Sequence, residues 1–217
     1  MSAGGMTMET AHGMQEAPPK VEEKAEWWAS PATLGLMGFG TTTMLAGLQD
    51  GGWIQSGTLL AMAIFFGGSA QIIAGTIAMR KGNMFAGTAF IGYGAFWLAF
   101  NWYLTNYIGG DITNMGTGSP AIGYEIAAFT FMWMLFTITF LLNAPKHGWG
   151  ITAVFLTLTI AFALLTWQWW QAGAGTVLSK STFQAIGGEI ILTGILAWFV
   201  GTADLTNWNY GRRIIPV

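Results

Sequence analysis

The chain reads as an all-α polytopic membrane protein with six transmembrane helices. Three observations predict this. Of its 217 residues, 53% are hydrophobic and only 8% are charged, against about 25% charged in an ordinary soluble domain. So little charge cannot clothe a water-facing surface, but it suits a lipid-facing one. Six stretches approach the roughly 20 mostly apolar residues that a spanning helix needs: about 32–49, 57–79, 84–106, 122–143, 149–170 and 182–204. None shows a broad polar face. Finally, the basic residues are distributed very unevenly between the alternate linkers.

Taken in order, residues 1–29 are expected to be a cytoplasmic tail. Its Glu9, Glu16, Glu22, Glu23 and Glu26, with Pro18-Pro19, oppose the basic and then apolar pattern of a cleavable signal. Residues 1–20 are expected to be disordered. Residues 21–29 suit a short interfacial helix ending at Trp27-Trp28. Residues 30–206 form the six-helix domain, and residues 207–217 a second cytoplasmic tail.

The linkers carry turn chemistry. They include Asp50-Gly51-Gly52, Lys81-Gly82-Asn83, a long one from Gly109 to Pro120, Asn143 to Gly148, and Gly173-Ala174-Gly175. Lys20, Lys24, Arg80, Lys81, Lys146, Arg212 and Arg213 then fall on one side, leaving Lys180 alone on the other. By the positive-inside rule both termini face the cytoplasm. Trp102, Tyr103, Tyr107, Trp167, Trp169 and Trp170 suit an outer aromatic belt, and Trp149 and Trp208 an inner one.

Small residues recur at helix-packing intervals: Ala70, Ala74 and Ala78; Gly87 and Gly94; Gly187, Gly194 and Gly201. Residues seven apart stay near one face, so these stripes are read as helix–helix contacts.

Chemistry has few places to reside. The polar residues within spans are Thr41, Thr42, Thr43, Ser69, Gln71, Thr88, Asn101, Thr157 and Thr159. A hydroxyl can bond back to its own helix, but an amide in hydrocarbon needs a partner or a wet cavity. Gln71 is therefore either a pore residue or a helix–helix hydrogen bond. Glu125 is read as a helix-start acid in the interface. Glu189 is open to two roles, a proton group or an outer-vestibule residue. The absence of cysteine excludes disulfides and zinc thiolate sites. His12 and His147 fall in a tail and a linker, and no enzyme motif is present. His147 is read as a solvated loop residue. No enzyme activity, cofactor or metal is expected, nor a nucleic-acid partner.

No basic residue lies deep in a span. A permeating carboxylate must keep some water, take hydroxyl or backbone donors, or cross as the neutral acid. With a pKa near 4, well under about 1% of such an acid is neutral at pH 7.

The first span reads Ser30-Pro31-Ala32-Thr33-Leu34-Gly35-Leu36-Met37-Gly38-Phe39-Gly40-Thr41-Thr42-Thr43. The second carries Phe65-Phe66-Gly67-Gly68-Ser69-Ala70-Gln71, and the third Gly92-Tyr93-Gly94-Ala95-Phe96-Trp97. With Lys81-Gly82-Asn83, Leu156 to Leu165 and Gly211 to Pro216, these blocks resemble the acetate uptake transporter family. That family includes bacterial succinate–acetate permeases and fungal proteins of acetate or ammonia export. The likeness covers about residues 30–217. It implies six-helix protomers in a homo-hexameric ring in the cell membrane. Each protomer would have its own pore for acetate or similar small monocarboxylates, succinate in some members, working as a channel or with proton coupling.

The resemblance also implies a hydrophobic neck at Phe39, Tyr93 and Leu158, which could gate by dewetting, with the Tyr93 hydroxyl free to offer a hydrogen bond. The expected substrate path runs past Ser30, Thr42, Thr43, Gln71 and Trp97. Ser30 and Thr33 stand where the family signature has Asn and Pro. Ser30 can still cap the helix, but amide donors at that mouth are lost. A channel for small neutral solutes such as ammonia, urea or water is the alternative, and a non-transporting membrane scaffold or sensor the third reading.

Overall fold

The structure, a computed structural model, describes residues 28–107 and 120–217. The expected tail 1–20, most of the expected interfacial helix and most of the long third linker lie outside them. Six long helices follow in order: α1 (Ala32–Asp50), α2 (Ser56–Arg80), α3 (Met84–Asn106), α4 (Pro120–Asn143), α5 (Trp149–Gly173) and α6 (Lys180–Tyr210). The described residues contain no β-strand. Four helices, α2, α4, α5 and α6, are long and apolar enough to cross a membrane on composition alone. The other two are diluted by the residues they bring to the interior. α1 carries Gly-Phe-Gly followed by three threonines, and α3 carries Gly-Tyr-Gly, Trp97 and Asn101. Their 19 and 23 residues still extend about 28 and 34 Å at 1.5 Å per residue.

Helix ends follow local chemistry. The Asn83 side chain accepts the Ala86 N–H at 3.0 Å and so caps α3. Ser179 caps α6 by accepting the Thr182 N–H at 3.2 Å. Gly211, at φ 60°, stops α6 at Tyr210, four residues beyond the expected boundary at 206. After α4 a 3₁₀ turn, Ala144–His147, and Gly148 at φ 105° redirect the chain into α5. Within α2, Phe65–Ala70 is wound as a π-helix. The Ser69 hydroxyl follows that winding, donating to the Ile64 carbonyl five residues back at 2.8 Å.

Glycine sets the packing. α1 packs most extensively on α6. A Cβ on Gly40 would stand 2.6 Å from the Gly194 carbonyl oxygen, and one on Gly194 would stand 2.7 Å from that of Gly40. Gly47 and Gly187 repeat the arrangement at 2.5 Å in both directions. The two backbones touch, and any side chain there would part them. Gly75 and Gly87 bring α2 onto α3 in the same way, with Gly94 resting on Gly68. The stripes at Gly87/Gly94 and at Gly187/Gly194/Gly201 are thus packing faces. Ala74 and Ala78 are fully enclosed.

Contacts near the chain ends place them at one end of the bundle. Lys81 Nζ donates to the carbonyls of Trp28 at 2.9 Å and Ala29 at 3.4 Å. Ser30 reaches Asp204 on α6, and Trp149 Nε1 donates to the Pro216 carbonyl at 3.1 Å. Asn207 clasps the returning tail, accepting from the N–H groups of Ile214 and Ile215 and donating to the Ile215 carbonyl. We call this the terminal end, and the other the distal end. Arg80, Lys81, Lys146, Arg212 and Arg213 lie at or near the terminal end, where α2 and α6 finish and α3 and α5 begin; Lys180 opens α6 at the distal end.

A Gly194→Leu substitution is expected to wedge α1 from α6, at a cost of about 1–3 kcal/mol or more, and to lower the melting temperature in detergent. Gly188 has open space where a Cβ would go, and Gly188→Leu should leave melting unchanged.

Candidate functional site

Two cavities lie along the bundle. The terminal one, of about 190 Å³, is lined by residues including Leu36, Gln71, Asn83, Phe85, His147 and Ile151. The distal one, of about 70 Å³, is lined by residues including Thr43, Gln49, Asp50, Trp97, Thr130 and Trp169. Phe39 and Leu158 line both. Phe39 and Leu158 therefore stand in the wall between the chambers. Phe39 is 5% and Leu158 5% exposed.

An aromatic cluster braces this wall. The Phe39 and Tyr93 rings lie 5.4 Å apart. Tyr93 in turn meets Trp133, Phe136, Phe140 and Phe155 at 5.4–6.3 Å. Such contacts add about 0.5–1.5 kcal/mol per pair beyond burial. Tyr93 lines the terminal chamber, and its hydroxyl lies 2.8 Å from Thr137 Oγ1. The Thr137 hydroxyl itself donates to the Trp133 carbonyl at 2.7 Å. Tyr93 must then be the donor to Thr137, and its proton is already committed. The hydrogen bond expected of it toward a solute can only be one it accepts.

The polar path residues separate into groups. Gln71 lines the terminal chamber at 1% exposure, with Oε1 buried and unpartnered. Thr43 Oγ1 and Trp97 Nε1 are likewise buried without partners, and both residues line the distal chamber. Thr42 lines neither. It packs on α2, within 2.7 Å of where a Gly67 Cβ would lie, because neighbouring residues on a helix point about 100° apart. Ser30 also lies outside both linings. It accepts the Ala32 N–H at 3.3 Å, consistent with a role at the start of α1, and donates to Asp204 Oδ2 at 3.1 Å. Thr33 donates to the same oxygen at 2.7 Å. The hydroxyls of Ser30 and Thr33 thus tie the start of α1 to α6.

Glu189 lines neither chamber. Its Oε1 accepts from Thr193 at 3.4 Å, and its Oε2 is buried and unpartnered. Glu125 accepts from the Tyr103 hydroxyl at 2.9 Å. Ser69, Thr157 and Thr159 bond back to their own helices, while Asn101 Nδ2 crosses to the Leu60 carbonyl of α2 at 2.9 Å. Trp102, Tyr107, Trp167 and Trp170 are exposed near the distal end, and Trp149 and Trp208 near the terminal end. Trp169 instead turns inward to the distal chamber.

Several lining residues were missed from the sequence. His147 is exposed, as a loop residue would be, yet its ring stacks on Phe85 at 3.9 Å and lines the terminal chamber. Asn83, beside it, had looked like a turn residue. Asp50 lines the distal chamber and accepts from Gln168 Nε2 at 2.8 Å. These two lie 118 positions apart in the chain, and nothing local announces the pair.

The arrangement offers a small solute two polar-dotted chambers joined through an apolar wall. Among the described residues, no lysine or arginine lines either chamber.

The model of the GPR1/FUN34/yaaH family matches residues 13–214. The Escherichia coli K12 succinate–acetate/proton symporter SatP is 33% identical over 191 residues, covering 87% of this chain and 95% of that one. Acetate permease A of Emericella nidulans is 30% identical, covering 89% of this chain and 67% of its own length. The solved structure of the bacterial acetate channel SatP superimposes with a TM-score of 0.74 at 33% identity, covering 88% of this chain and 99% of that one.

Replacing Thr137 by Val leaves the buried Tyr93 hydroxyl without its acceptor, a loss expected to cost about 1–3 kcal/mol. Tyr93→Phe removes the donor while Thr137 keeps its bond to Trp133, and should cost less. Melting of the two purified variants against the parent protein checks the order.

Proposed function

The chain belongs to the GPR1/FUN34/yaaH family, and from that premise we propose how it works. It transports acetate and similar small monocarboxylates across a membrane, through the two chambers and the wall between them. The observation that carries this reading is the pair Phe39 and Leu158, the residues common to both chamber linings. A continuous wet channel would conduct any small ion. An apolar neck instead makes passage depend on size and on how readily the solute sheds water.

Acetate suits such a neck, having a methyl group that loses nothing against Phe39 and Leu158. On the distal side its carboxylate would take the Thr43 hydroxyl and the Trp97 N–H as donors. In the terminal chamber Gln71 offers an amide oxygen, which accepts from the solute's retained water or from the neutral acid. The unpartnered polar atoms of these three side chains support those roles, because buried polar groups ordinarily find a partner. Tyr93 forms the flank of the neck. Ser30 and Thr42 support the path from outside it, holding α1 to α6 and to α2.

All six helices span, with α1 and α3 shielded from lipid in part by their neighbours. The terminal end faces the cytoplasm, because Arg80, Lys81, Lys146, Arg212 and Arg213 collect there. The family resemblance supports a homo-hexamer in the cell membrane with one pore per protomer. Glu189, near the distal end of α6 but off both linings, belongs to the surroundings of the outer mouth.

Purified protein in liposomes is expected to pass labelled acetate well above the leak of empty vesicles. Equality with empty vesicles would sink the proposal. Phe39→Ala and Leu158→Ala should each admit longer monocarboxylates that the parent excludes. If both variants kept the parent's size limit, the neck would have to lie elsewhere.

A further inference from the structure

We propose that Asp50, held by Gln168, sets the specificity of the distal chamber, repelling carboxylates while charged and admitting them once a proton occupies its free oxygen. This rests on the transport reading above and assigns its proton dependence to a residue.

Asp50 is the last residue of α1 and lines the distal chamber. Oδ1 accepts from Gln168 Nε2 at 2.8 Å, while Oδ2 is buried with no partner. Gln168 is itself 2% exposed, and its Oε1 is also unpartnered. The pair is thus fixed in place, with one carboxylate oxygen left unused. Buried charges are normally paired with a cation or a metal. Among the described residues it has no cation in the chamber lining, where Asp50 is the sole ionisable side chain.

α5 contains no Asp, Glu, Lys, Arg or His. α4 brings Glu125, which is bound to Tyr103 of α3, and Tyr124; α3 also brings Tyr107. α6 brings Glu189, beside the lining residue Ile190, and Lys180 at its distal start. The distal half of α2, Ser56–Ile64, has no charged residue. None of these groups lines the chamber, and none is hydrogen-bonded to Asp50 Oδ2.

A second carboxylate entering so small a space meets a like charge with little water to screen it. Protonation reverses the situation. Hydronium in the external water gives its proton to Asp50 Oδ2, leaving water and a neutral carboxyl. The new O–H is a donor. Together with the Thr43 hydroxyl and the Trp97 N–H, it gives an entering carboxylate three donors and no fixed negative charge. Admission should therefore rise as external pH falls.

The experiment uses the full chain in liposomes, with labelled acetate uptake measured from about pH 8 to about pH 5. The acetate anion is held constant and the leak of empty vesicles subtracted. The expected result is a parent rate that climbs about tenfold toward acid. Asp50→Asn, which is permanently neutral, should be fast throughout and constant within about twofold. Asp50→Glu should restore the climb. Asp50→Ser serves as a second neutral variant if Asp50→Asn does not fold. A neutral variant that keeps the parent's pH profile would overturn the proposal. So would activation of the parent by sodium at fixed pH, which would make the free oxygen a cation ligand instead. Parent vesicles no leakier than empty ones would instead remove the transport reading on which the proposal rests.

Discussion

The structure turns on a shared apolar wall. Phe39 from α1 and Leu158 from α5 line the chambers on both sides of it. Such a wall is useful only if it is held rigidly, because a small displacement would open it to water. Both side chains sit in a continuous aromatic and aliphatic core that runs from Leu36 through Tyr93 and Phe96 to Phe155 and Phe162. Interiors packed to this density transmit displacement rather than absorb it. The wall is as firm as its braces make it, and the braces come from α3, α4 and α5.

The chamber walls follow a complementary rule. Their lining is mostly apolar, with isolated polar atoms instead of charges. A permanent cation would hold an anion tightly, and conduction requires binding weak enough to leave. Single amide, hydroxyl and indole groups fall in that weaker range. Asp50 is the exception in the lining, and its neighbours show how a lone acid is tolerated there. One oxygen is satisfied by an amide, and the other is left buried without a partner.

Much of this was legible in the sequence, for physical reasons that differ from residue to residue. The spans were readable because lipid imposes length and apolarity together, so the expected stretch 84–106 coincides with α3. The glycine stripes were readable because a seven-residue period keeps one face. The assignment of Thr42 and Thr43 to a common path was not secure, since adjacent positions on a helix diverge and only Thr43 reaches a cavity. The Asp50–Gln168 pair was invisible. An acid at the end of a span looks like a turn residue, and its partner is brought to it by tertiary folding alone. The same holds for Asp204, which collects the hydroxyls of Ser30 and Thr33 from more than 170 positions away. Near-neighbour pattern reports which face a residue occupies, and only the closed bundle reports what that face meets.

The reciprocal contact of Gly40 and Gly47 with Gly194 and Gly187 has a consequence for biogenesis. α1 leaves the ribosome first among the helices and is one of the two least apolar, yet the partner that fits its glycine face is the last to be made. Until α6 arrives, that face must rest against lipid or against the insertion machinery, with backbone carbonyls that no side chain covers. Closure of the α1–α6 seam therefore waits for the last of the six helices. A ribosome stalled before α6 would leave α1 packed on α2 and α3 with its glycine face uncovered, a recognisable signal for membrane quality control.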